Sequence, residues 1–111
     1  MKPAQDIERL RLITQLLLDT RLQDLRRAAE ARARSQMQFD ALATPESPSD
    51  LPLAVAGTVG LAYCRWADQR RADLNAVIAR QTVDWIAARS EASTAFGRKQ
   101  ALQAALDRQK P

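Results

Sequence analysis

The chain has no histidine. That removes at once the usual general base, the commonest protein ligand for transition metals and the ordinary physiological pH sensor. A single cysteine, Cys64, excludes a disulfide within the chain and any thiolate cluster for a metal; a packed thiol in a reducing compartment is the expectation. Glycine occurs three times, and Ala56-Gly57-Thr58-Val59-Gly60 lacks both the Gly-Lys-Ser/Thr ending and the preceding strand of a phosphate-binding loop. Aromatics make up only 5% of the residues, too few for the alternating strands of a sheet protein. The longest apolar run, Leu51 to Cys64, is about fourteen residues and contains Pro52, Gly57 and Gly60, short of the ~20 that a membrane span needs. Met1-Lys2-Pro3 leads into charged Asp6, Glu8, Arg9 and Arg11 rather than an apolar leader, so a soluble, cytoplasmic protein is expected.

What remains is helical. Alanine, leucine, arginine and glutamine dominate, and from Gly57 an alternating three-four spacing runs through Gly60, Cys64, Ala67, Arg71, Leu74, Ile78, Gln81, Trp85, Ala88, Ala92, Ala95, Lys99, Leu102 and Leu106. A seam held over seven heptads without drift is the pattern of a helix that supercoils around a partner. This second helix is expected from about 53 to 108, with Gly97 as its weak point, where a bend or break would cost least. An earlier helix is expected from Pro3 to about Ala43, with Ile7, Leu10, Leu17, Leu18, Leu22, Leu25, Ala28, Ala29 and Ala33 along one face. Between the two lies a proline-rich connector, residues 44–52, with Ser49 or Asp50 as N-cap and Pro52 in the first turn of the next helix. A connector this short predicts an all-α fold: one domain, an antiparallel two-helix coiled-coil hairpin with a longer second helix, open to dimerisation into a bundle.

Register can be estimated by setting large side chains against large ones. Positions whose numbers add to about 96 then face each other, which places Leu22 against Leu74 and Leu18 against Ile78. On that register residues past Ala92 have no partner in the first helix, so Leu102 and Leu106 would form an apolar stripe that wants another chain. Leu12 and Leu16 belong to a leucine-rich segment too wide for a single seam. They fit either a locally broad core or a second contact surface, for a dimer or for another protein. Trp66 falls one position off the seam and is expected at an edge or interface.

Charge narrows the partners. Residues 1–50 carry eight basic and eight acidic side chains, and residues 51–111 carry nine and five. Because Asp68, Asp73, Asp84 and Glu91 interleave with Arg65, Arg70, Arg71, Arg80 and Arg89, a salt-bridged solvent face is favoured over nucleic-acid binding. Carboxylate pairs such as Asp6 and Glu8 are not at the spacing that brings side chains together on a helix, and no concavity is expected between two helices. The expected protein is therefore no enzyme, with no cofactor and no small-molecule substrate.

Ala62-Tyr63, Arg65-Trp66, Gln69, Leu74, Ile78, Gln81, Trp85, Ala92, Arg98-Lys99-Gln100-Ala101-Leu102 and Asp107-Arg108-Gln109 together resemble the second half of the FliJ family. These are stalk proteins of flagellar and related type III export machines. The resemblance implies an antiparallel coiled coil whose partners are the export ATPase, the export gate and export chaperones. It also implies a gate-binding surface at Leu74, Val77 and Gln81. The alternative function is a homo-oligomeric helical scaffold unrelated to export.

Overall fold

The computed structural model describes residues 3–42 and 53–109, the side chains of residues 53–56 excepted. Helix α1 spans Pro3–Asp40 and helix α2 spans Leu53–Arg108, and no strand occurs among the described residues. The architecture is the expected all-α helical hairpin with a longer second helix. Pro3 occupies a first-turn position, where its missing N–H costs nothing, and Asp6 faces the positive end of the α1 dipole. Arg108 lies in the last turn of α2, at the negative end.

Two local expectations needed adjustment. Helix α1 ends at Asp40 rather than near Ala43, and its end is tightened by Ala41 N–H donating to the Met37 carbonyl and Leu42 N–H donating to the Phe39 carbonyl. At Gly97 there is no break: α2 runs through it, because one exposed glycine costs less than the helical hydrogen bonds on either side contribute. The connector, residues 44–52, lies outside the described residues.

Packing between the helices falls into two compact units, Met1–Ala29 with Val83–Pro111, and Glu30–Thr82. In the first unit Leu18, Ala92 and Ala95 are buried, with Leu25, Ala28, Trp85, Ala88, Leu102 and Leu106 half-buried around them. Arg21 Nη1 reaches Glu91 Oε2 across the helices at 3.2 Å. In the second unit Ser35, Leu42, Ala67 and Leu74 are buried. There Arg32 Nε donates to Thr82 Oγ1 at 2.9 Å, and that hydroxyl donates to the Ile78 carbonyl at 2.7 Å. Arg71 donates through Nη2 to the Leu42 carbonyl and through Nη1 to Asp68 Oδ1.

These cross-helix bonds set the register. Arg21 with Glu91, Arg32 with Thr82 and Leu42 with Arg71 are pairs whose numbers add to 112, 114 and 113. The register near 96 is therefore corrected in both units. Its premise, large opposite large, was the error. In the first unit the pairing sets Leu18 level with Ala95, so a large side chain enters a space left by a small one, as close packing requires.

Three further corrections follow. Residues past Ala92 do have a partner: Ala95 is buried, Leu102 and Leu106 are half-buried, and Leu102 lines a groove together with Arg11 and Leu12. In the second unit Leu42 is level with Arg71, which leaves Gly57 and Gly60 beyond the last described residue of α1. Among the described residues, nothing lies within 4 Å of where a Cβ on either glycine would stand. Cys64 is exposed rather than packed; Tyr63, one residue earlier, is the half-buried one.

Candidate interaction surfaces

The inward positions of α1 are Ile7, Arg11, Thr14, Leu18, Arg21, Leu25, Ala28, Arg32, Ser35 and Phe39, followed by Leu42 in the turn, an unbroken four-three alternation of buried and half-buried residues. Four of these up to Arg32 are arginine or threonine, and Ser35 makes a fifth polar position. The helix thus turns a mixed face inward and leaves leucines outside. Polar side chains at such positions cost burial energy but can specify register through directed bonds. Arg21 and Arg32 each make such a cross-helix contact, in the first and second unit respectively.

What α1 turns outward in the first unit is apolar. Leu12 is 59% exposed, Ile13 60% and Leu16 56%, and Leu10 is half exposed on their flank. Spacings of three and four bring Leu12, Ile13 and Leu16 into one patch on the helix surface. The same unit exposes Val83, Ile86 and Phe96 on α2. Phe96 borders a groove of about 410 Å³ floored by Leu18, Leu22, Leu25 and Ala92. At its edge the Arg89 guanidinium stands 4.7 Å from the centre of the Trp85 ring, a cation–π contact that holds the arginine over the apolar floor's rim. A second groove, about 330 Å³, brings Glu8, Arg11 and Lys99 to one place, and there Arg11 Nη1 already lies 3.6 Å from Glu8 Oε1. Among the described residues no group of histidine, cysteine or carboxylate side chains could hold a metal ion.

The second unit exposes fewer large apolar side chains, Met37, Val59, Leu61 and Trp66. Leu74 is 3% exposed and committed to the seam, while Val77 and Gln81 are half-buried beside it. The three residues matched to a gate-binding surface thus do not form an open apolar patch. Trp66 is exposed as expected for an edge residue, with the Tyr63 ring 5.7 Å away at 47°. Leu12, Leu16 and Trp66 are the sequence-derived contact residues that stand most open; Leu102 and Leu106 serve the seam instead. Sequence reasoning did not single out Ile13, Val83, Ile86 or Phe96 as contact residues. The signal available for the α2 residues was their position off the Trp85-Ala88-Ala92-Ala95 seam, where an apolar side chain has no partner to meet.

The first unit contains eleven basic and seven acidic residues and the second six of each, so the whole net charge of +4 belongs to the unit with the open apolar patch. No helix is long and apolar enough to cross a membrane among the described residues. Comparison of the chain with protein-family models, with curated proteins and with solved structures gives no match.

Proposed function

We propose that this hairpin is a non-enzymatic, cytoplasmic protein-interaction module, and that its specific role is that of a stalk or chaperone-escort protein of a flagellar or type III export apparatus. One observation carries the general reading: Leu12, Ile13 and Leu16 stand more than half exposed side by side, although the same helix half-buries arginine and threonine and buries Ser35. A sequence that leaves its leucines in water while lining its own seam with polar groups has kept an apolar face for something else. Phe96 and its groove add a second apolar feature in the same unit. The specific role rests on the resemblance of residues 62–109 to FliJ-type stalks. Its gate-contact assignment is weakened by the burial of Leu74, so Val77, Gln81 and the exposed Trp66 are the residues left to make that contact in the second unit.

Titration calorimetry of the purified chain against an export ATPase and against the cytosolic domain of an export gate tests the specific role. Binding to either at tens of micromolar, lost on Trp66→Ala or Phe96→Ala, is the expected result. Absence of heat with both partners refutes the export role.

A further inference from the structure

We infer that the outer face of α1 pairs with the same face of a second copy, antiparallel, about a two-fold axis level with Thr14. Four exposed residues define the stripe: Arg9, Leu12, Leu16 and Asp19, at spacings of three, four and three. That is the spacing of a coiled-coil seam, here on the side of α1 away from α2. Laid antiparallel on itself about Thr14, the stripe sets Leu12 level with Leu16 of the second copy, and Arg9 level with its Asp19. The face is therefore complementary to itself in shape and in charge, which is what an isologous two-fold interface demands. A foreign partner would not require basic and acidic residues at equal distances on either side of the leucines.

Leu12, Ile13 and Leu16, each more than half exposed, offer on the order of 100 Å² apiece, about 600 Å² over two copies, and the stems of Arg9 and Asp19 extend the contact toward the roughly 1,000 Å² at the low end for a specific interface. Asp19 is held in place by Gln15, whose Nε2 donates to its Oδ1 at 2.8 Å. Nothing in the pairing uses Phe96, Val83 or Ile86, so a dimer leaves the α2 side of the unit available to other proteins. The inference rests on reading the hairpin as an interaction module, but not on its export role.

Charge reversal tests it. Sedimentation equilibrium of the full chain is expected to show a dimer, abolished by Leu16→Asp. Arg9→Glu and Asp19→Arg, both exposed and read by circular dichroism for intact helix, each place two like-charge pairs across the two-fold and weaken dimerisation about tenfold. The double variant R9E/D19R restores it. Mixing the two single variants gives a heterodimer tighter than either homodimer, because both cross-copy pairs become attractive. A chain that stays monomeric at all concentrations overturns the inference and leaves the export test, which reads heterologous binding, unaffected. A dimer indifferent to both reversals, or two single variants that do not recover on mixing, overturns it equally.

Discussion

Replacing Leu18 by alanine tests which face of α1 is the inner one. Leu18 is 5% exposed, level with Ala95 and above the groove that Leu22, Leu25 and Ala92 share. The substitution removes three carbons, worth about 2.4 kcal/mol at ~0.8 kcal/mol per buried methylene. A cavity penalty adds to this, but the adjoining groove lets water or neighbouring side chains relax into the space, so the total is expected near 3 kcal/mol, in the lower half of the range for leucine-to-alanine changes. Leu16→Ala, two residues earlier on the same helix, removes the same atoms from a side chain that is 56% exposed, and about 1 kcal/mol is expected in the monomer. Urea unfolding followed by circular dichroism, in dilute solution where association does not contribute, should separate the two variants by roughly 2 kcal/mol. Equal losses, or a larger loss for Leu16→Ala, would mean that the leucine-rich face is the true seam, and the assignment of an open apolar patch would fall with it.

Gly97→Ala should stabilise the chain by about 0.5–1 kcal/mol, since the position is inside an exposed stretch of α2 and an added Cβ meets nothing within 4 Å; thermal unfolding reads the gain. Arg71→Ala removes the bond to the Leu42 carbonyl and the pair with Asp68, with an expected cost of about 1–2 kcal/mol and faster amide exchange at Ala41 and Leu42. Arg71→Lys should recover little, because one ammonium cannot reproduce a fork that serves a carbonyl and a carboxylate. Glu91→Gln should cost no more than about 0.5 kcal/mol in low salt and nothing measurable in high salt, as its pair with Arg21 is partly exposed; a loss that persists in high salt would contradict a screened surface pair.

The seam of α2 was legible in the sequence almost residue by residue. From Ala67 to Leu106 every expected seam position is buried or half-buried, because few alternative faces of that helix are apolar enough to compete. Before Ala67 the pattern ran on into Gly57 and Cys64, yet both are exposed. Periodicity reports what a helix could bury; whether a partner is level with it depends on register. Register itself was not legible, because it is fixed by single polar contacts such as Arg32 with Thr82 and Arg71 with the Leu42 carbonyl, which hydrophobic spacing does not encode. Pairing large with large was a poor substitute, since Leu18 opposite Ala95 fills space as well as two leucines that must splay the helices apart.

The inner face of α1 was legible in part: Ile7, Leu17, Leu18, Leu22, Leu25 and Ala28 are buried or half-buried, whereas Leu10, Ala29 and Ala33 are exposed, and the difference bears on function. The helix carries two stripes, one apolar through Leu10, Leu12, Ile13 and Leu16, the other mixed through Arg11, Thr14, Leu18 and Arg21. Burial of apolar area alone selects the first for the interior. The second wins inside because α2 presents small residues and carboxylates there: Ala92 and Ala95 leave room for Leu18, and Glu91 meets Arg21. The hairpin is thus held by modest terms, a few buried side chains and directed polar contacts, while a comparable apolar surface remains outside. In an isolated monomer that outer surface contributes less than half of what full burial would give, since burial is what makes it favourable. Substitutions such as Leu12→Ser and Leu16→Ser should therefore each cost a dilute sample only about 1 kcal/mol, yet eliminate the rise of its unfolding midpoint with protein concentration. A midpoint that does not depend on concentration even in the unaltered chain would show that the leucines of α1 meet no second copy, and would leave them for a different protein.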